Sequence, residues 1–310
     1  PILKFARMPV WNFDFAPHDA GTYPVCNGQG YGLKRSVEAK LGTTYKQGDV
    51  TTRFPTYNLP ASADVYDFDM QMPVEECANM LVMFYACLHF DKDTTFFAQN
   101  ADLAAKWVGY LVDNGLRPAN QLCTDDFAGH LANNLNLAVK ATVGIACYAE
   151  LLRATGDKAG WAKYRKIAED FVSVITAFGN RFSHLPITWD AGEETYSLKY
   201  NMAFDKILGL SLFDKAVTER EVDFYLTKLN EYGVPLDNRK GYTKSDWLVW
   251  AASLTDDKTK QFKLIASLDR YLRTSLERIP FADWYETETS LHHEFLARSV
   301  QGGCFILLLK

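Results

Sequence analysis

Acidic residues recur in one kind of place along this chain, at the start of a helix-forming segment or in the loop that feeds it. Glu75 and Glu76 follow Met72-Pro73-Val74, and Asp125 and Asp126 follow Cys123-Thr124. Asp237 lies in Pro235-Leu236-Asp237-Asn238-Arg239, and Asp246 in Tyr242-Thr243-Lys244-Ser245-Asp246-Trp247. A carboxylate in a first turn is stabilised by the helix dipole, so capping accounts for any one of them alone. Their recurrence asks for more, because in stacked helical hairpins alternate helices start at the same end and such acids converge around one funnel. Two carboxylates there suit a hydrolysis in which one activates water and the other protonates the leaving group. Glycoside hydrolysis uses such a pair, and amide hydrolysis can use one too. The aromatic residues Tyr23, Trp189, Tyr200, Trp247, Trp250, Trp284 and Tyr285 near these points suit either sugar stacking or the packing of a large core, with core the better account for most of them.

One acidic start continues into a polar stripe. Asp126, His130, Asn133 and Lys140 recur at steps of four, three and seven, the spacing of one helix face. Leu131, Leu135, Ala138, Val139, Thr142 and Ile145 fill the rest of the circumference, so the spacing predicts a largely buried helix over 126–155. Buried polar groups need partners, which places Asp125 and Asp126 at the funnel end, His130 and Asn133 one and two turns deeper, and Asn136 and Lys140 among structural contacts.

Other chemistries lack their signatures. The chain has no GxSxG elbow, no HExxH zinc helix and no SxxK. His292-His293-Glu294 points its adjacent residues to different sides and has no evident third ligand, so no metal site is expected. No GxGxxG or Walker loop opens a helix, so no nucleotide cofactor, and no other cofactor, is expected. Asp64, Asp67 and Asp69 are read as a solvated acidic turn in preference to a Ca²⁺ site. The net charge of −5, with basic residues dispersed, offers nucleic acid no patch. No apolar run approaches the ~20 residues of a membrane span. The six cysteines, Cys26, Cys77, Cys87, Cys123, Cys147 and Cys304, form no CxxC pair and are read as free, mostly buried small hydrophobes.

The elements that position these residues are helices, with almost no alternating strand pattern. They are expected at 74–90, 94–114, 126–155, 157–178, 200–212, 218–232, 245–254, 256–276 and 292–309. Asp93, Thr124, Thr218 and Ser245 are N-cap candidates, and Gly115, Gly156, Gly179 and Gly233 stand where C-terminal glycines stand. Segment 157–178 carries Lys158, Lys163, Arg165, Lys166, Glu169 and Asp170, as an outer helix would, whereas 126–155 and 245–254 carry few charges. At 310 residues and 48% hydrophobic side chains, this alternation predicts an all-α protein, an (α/α)6 toroid of helical hairpins in one domain over 1–310. Fewer than twelve helices can be counted, so its first part is expected to be truncated. A long irregular loop insertion at about 24–72 interrupts it, of the kind that forms functional lids.

These same segments resemble the C-terminal six-hairpin, glycosidase-like domain of the glutaminase A family. The resemblance rests on 15–24 (FAPHDAGTYP), Met72-Pro73-Val74-Glu75-Glu76, 120–130 (NQLCTDDFAGH), Lys199-Tyr200-Asn201 with Asp205-Lys206, Pro235-Leu236-Asp237-Asn238-Arg239, Lys244-Ser245-Asp246-Trp247, and 297–303 (ARSVQGG). It implies a secreted hydrolase, extracellular or periplasmic, that converts L-glutamine to L-glutamate and ammonia, with β-rich domains of the same protein ahead of this one. Asp126 or Asp125 is then expected as one catalytic carboxylate, and Glu76, Asp237 or Asp246 as the other. Tyr23, His130, Asn133, Asn201, Asp205, Arg239, Trp247 and Arg298 are expected to bind a small-molecule or glycan substrate. A six-hairpin glycoside hydrolase and a non-catalytic glycan-binding domain are the alternatives, since fold alone does not settle function.

Overall fold

Helix starts in this protein are set by local chemistry, as the computed structural model, which describes residues 14–16, 71–123, 129–277, 280–293 and 295–309, makes plain. Among these residues are nine α-helices: α1 (Pro73–Ala86), α2 (Thr95–Ala98), α3 (Ala101–Asn114), α4 (Leu135–Ala154), α5 (Lys158–Gly179), α6 (Met202–Ile207), α7 (Lys215–Thr227), α8 (Ser245–Ala252) and α9 (Lys258–Thr274). A π-helical turn, Cys87–Asp91, continues α1, and a 3-10 helix covers Ser299–Leu308. Strands β1 (Tyr242–Lys244) and β2 (Trp284–Glu286) pair antiparallel. Tyr23, Cys26, Asp64, Asp67, Asp69, Thr124, Asp125, Asp126 and nearly all of the 24–72 insertion lie outside the described residues.

The chain divides into two compact units, residues 1–132 with 144–167, and 133–143 with 168–310. In the first, Pro73 opens α1 at a position where its missing N–H is not needed, and Glu75 and Glu76 complement the helix dipole in the first turn. Phe84 packs against Phe97, Trp107 and Phe96, and Phe97 meets Tyr148, which in turn meets Tyr164 edge-on. Gly144 lets two backbones approach, since a Cβ there would stand 3.0 Å from the Ala78 Cα. Gly156, at φ +92, ends α4 in a conformation that other residues avoid.

In the second unit α8 is buried along almost its whole length. Helix α9 is amphipathic, with Leu264, Leu268 and Tyr271 buried at helical spacing and its first N–H groups capped by the Asp257 side chain. Lys260 of α9 is bonded to Glu219 at 2.9 Å and Asp223 at 2.6 Å on α7. A buried polar knot fixes the 197–201 segment. The Lys199 ammonium donates to the Leu185 and Ser197 carbonyls and to the Ser197 hydroxyl, while Tyr225 accepts from the Lys199 N–H at 2.7 Å and donates to Glu221 at 3.0 Å.

Several expected elements differ from those observed. The helix expected from residue 126 begins at Leu135, so His130 and Asn133 are not on it. Asn133 is left-handed at φ +58, a conformation a right-handed helix cannot contain, and the next residue, Asn134, caps α4 through its side chain, which accepts from the Leu137 N–H. Thr218 lies inside α7, 200–212 shortens to α6, and 94–114 divides into α2 and α3. The segment expected as a helix over 292–309 is helical only from Ser299, because His292 bridges to Tyr285 of β2 and Ala297 takes φ +52. The strands went unexpected although their aromatic and β-branched residues favour strands. Helix α4 is, by length and composition, apolar enough to cross a membrane, yet it is almost wholly buried within the protein, and so serves as a core helix. The described cysteines are unbridged, with Cys77, Cys123 and Cys147 buried.

Candidate active site

Strand β1 delivers the chain directly into α8. Thr243 faces Tyr285 across the sheet and Lys244 faces Trp284; the Ser245 N–H then bonds the Asp283 carbonyl at 2.9 Å, and the helix turns Asp246 inward at 3% exposure. The 3-10 helix closes over it. A Cβ on Gly303 would stand 2.8 Å from the Asp246 Cβ and 2.9 Å from the Trp250 Nε1, and the Trp250 indole N–H donates to the Gly303 carbonyl at 2.9 Å. Only glycine fits this crossing.

Burial pushes the Asp246 carboxyl up from its ordinary value, against the opposing pull of Lys244, its backbone N–H and Arg298. Those two cations are engaged elsewhere. The Lys244 ammonium is paired with Asp283, and Arg298 forks onto the same carboxylate at 2.6 and 3.2 Å. One Asp246 oxygen, Oδ1, is buried and has no hydrogen-bond partner, as are the Thr243 and Tyr285 hydroxyls. The Cys304 thiol, itself pushed up by burial, lies beside Ser245 and Asp246. Such surroundings shift a carboxyl toward its protonated form, the form that a general acid needs.

Asp237 is held differently. Loop 235–239 is pinned by the bonds Leu198 N–H to Leu236 C=O at 2.8 Å and Leu236 N–H to Tyr242 C=O at 3.0 Å. Asp237, 2% exposed, accepts from the Arg239 backbone N–H at 2.7 Å and from its guanidinium at 2.6 and 3.0 Å. The guanidinium thus forks onto Oδ2 alone, while Oδ1 takes the backbone N–H.

Trp247 stacks on Tyr200 with ring centroids 4.8 Å apart and planes at 9°, and the Lys244 ammonium lies 5.3 Å from its centroid. Trp247 is therefore core rather than an open platform. Next to Tyr200, Asn201 is 1% exposed and donates its amide N–H to the Asn136 carbonyl at 3.1 Å. Asp205 uses its two oxygens on the Leu212 and Phe213 N–H groups, both at 2.9 Å, which is a structural task. The second unit thus gathers Asp246, Trp247, Arg298 and the Tyr200-Asn201 step into one neighbourhood, and joins Asp237 to Arg239. Asn133 also belongs to it, its carbonyl accepting from Trp189 at 3.0 Å. Glu76 and His130 belong to the first unit; Glu76 is fully buried and accepts from Asn79 at 3.2 Å, and His130 is exposed. Among the described residues no three His, Cys, Asp or Glu side chains converge as a metal site; His292 and His293 turn to different carboxylates, Glu277 and Glu286.

The sequence pattern of the glutaminase A six helical-hairpin domain matches residues 1–308. The chain belongs to that family. Glutaminase A of Aspergillus oryzae (strain ATCC 42149 / RIB 40) is 34% identical over 277 residues, 87% of this chain and 39% of the relative. A probable glutaminase of Arthroderma benhamiae (strain ATCC MYA-4681 / CBS 112371) is 26% identical over 89% of this chain and 42% of its own length. The chain therefore spans about two-fifths of the length of these curated relatives. In this glutaminase A hairpin domain, sequence reasoning passed over Asp283 and Lys244 as site residues and treated Asn136 as structural. The signal for the first pair was Lys244 itself. A buried lysine at the end of a short aromatic and β-branched strand must find a counter-ion, and Asp283 stands just before the facing strand.

Proposed function

We propose that this domain is the hydrolytic part of a glutaminase-type amidohydrolase built on a six-hairpin toroid, with Asp246 as its general acid. The observation that carries this reading is Asp246 itself. It is a buried carboxyl with a raised pKa and an unpartnered oxygen, in a chain homologous to glutaminase A over most of its length. The chemistry uses this carboxyl as a proton donor. A second carboxylate takes a proton from water as the water oxygen adds to the side-chain amide carbon of glutamine. Asp246 delivers its proton to the amide nitrogen, the C–N bond breaks, and ammonia leaves with glutamate behind. Lys244 and Arg298, tied to Asp283, lower the pKa of the acid by less than burial raises it.

The test compares ammonia release from L-glutamine with sugar release from a glycan panel, for the wild type, Asp246→Asn and Asp126→Asn. Ammonia release that collapses in Asp246→Asn is the expected result. Sugar release alone transfers the same acid to a glycosidic bond, and turnover undiminished in Asp246→Asn removes Asp246 from the chemistry.

A further inference from the structure

Two buried side-chain amides have carbonyl oxygens that no protein group pairs. Asn136, in the first turn of α4, and Asn201, just ahead of α6, are each 1% exposed, and the Oδ1 of each is buried without a hydrogen-bond partner. The orientation of Asn201 is fixed by chemistry. Its Nδ2 meets the Asn136 carbonyl at 3.1 Å, and the opposite orientation would set two acceptors against each other. The same bond sets the Asn201 side chain against the backbone of Asn136, and Asn201 directly follows Tyr200 of the Tyr200–Trp247 stack. Native proteins leave few buried acceptors unpaired, and each calls for a physical explanation, a bound group among them.

We propose that Asn136 and Asn201 form the subsite for a primary ammonium group of the substrate, an inference that rests on the amidohydrolase reading by taking that group to be the α-ammonium of glutamine. A hydroxyl carries one hydrogen and satisfies one of the two oxygens. An ammonium carries three N–H donors on one atom, satisfies both, and brings a charge that strengthens each bond. Neutral amide acceptors suit this role in a buried place, because they bind a cation without being desolvated anions when the site is empty.

The test uses the full chain with paired probes that differ only in the amine: L-glutamine against glutaramate, and D-glucosamine against D-glucose. Thermal stabilisation by each probe is read alongside kcat and KM for glutamine, in the wild type and in Asn136→Leu. Leucine has nearly the same shape, and removing an unfilled acceptor does not lower the stability of the free protein. Expected are a rise in melting temperature with glutamine but not glutaramate, its loss in Asn136→Leu, and a KM raised about tenfold or more with kcat retained. If glutamine is not hydrolysed while glucosamine, and not glucose, stabilises the wild type in an Asn136-dependent way, the amidase reading falls and the ammonium subsite stands. If the members of each pair act alike, if no probe stabilises, or if Asn136→Leu loses stability with KM unchanged, the subsite is overturned. Should Asn136→Leu not fold, Asn136→Ala is read in its place by the same criteria.

Discussion

Asp246 and Asp237 sit in the same unit at nearly equal burial, 3% and 2% exposed, and each has a basic residue two positions away in sequence. Their environments are opposite. Arg239 folds back within its own loop and places three donors on Asp237, whereas Lys244 precedes the strand-to-helix turn and points to Asp283. The turn at Ser245 is the cause, because the extended backbone of β1 and the helical backbone of α8 send side chains two residues apart in different directions. The partners of a buried carboxyl are thus decided less by how deep it lies than by where the nearest cation is already committed. Asp237 is tied into its own loop by Arg239; Asp246 is held by burial above its ordinary pKa.

The largest effect expected from this contrast is catalytic. Asp246→Asn removes the transferable proton and lowers kcat about 10²–10⁴-fold, measured as ammonia release, with the fold intact because an amide there avoids the desolvation of a charge. The pH dependence gives a second reading of the same residue. The folded pKa of Asp246 lies above its unfolded value, so the folded state keeps a proton that the unfolded chain releases. Its contribution to stability is therefore constant in acid and is lost as pH rises from the ordinary aspartate range through the raised value. Relative to wild type, Asp246→Asn gains stability over that window. A gap that stays flat or narrows with pH contradicts the neutral-acid assignment.

At the other carboxylate the expected effect is on stability. Arg239→Ala leaves Asp237 buried and without its counter-charge, which costs about 3 kcal/mol in a denaturant titration, and adding Asp237→Asn recovers part of it in a double-mutant cycle. Additive single effects would show that the fork is incidental. Gly303→Ala tests the cover over Asp246. Its new methyl meets the Asp246 Cβ and the Trp250 Nε1 at under 3 Å, an overpacking worth about 2 kcal/mol, and it displaces the acid, so specific activity falls further than the folded fraction does.

Much of the frame was legible in the sequence. The amphipathic period of α5 and α9, the acidic first turn of α1 and the buried character of α4 and α8 follow from residue order alone, because local spacing controls them. The candidate neighbourhood was legible only in part. Asp246, Trp247 and Arg298 were singled out as candidates, but Asp283 was not, since it becomes a partner of Lys244 only when β2 pairs with β1, a contact set by non-local pairing. Asn136 was marked as structural from its place on the expected stripe, and that stripe failed where Asn133 turned left-handed. A helical period can be continued on paper through a residue whose backbone ends it.

The smallest effect is expected at a third aspartate, Asp205, which sharpens the contrast between the other two. Its resemblance to a substrate-binding residue came from the Asp205-Lys206 pair, yet its oxygens close the loop after α6 through the Leu212 and Phe213 N–H groups. Asp205→Asn keeps one acceptor oxygen and turns an amide N–H toward the other donor, so one buried N–H loses its partner. The cost is about 1 kcal/mol, the lower end for a buried unsatisfied donor, read as a shift in denaturation midpoint with KM and kcat per folded molecule unchanged. A rise in KM without loss of stability would instead give Asp205 to the substrate, and would mean that a carboxylate saturated by backbone donors can still serve the site, against the rule drawn from Asp237 and Asp246.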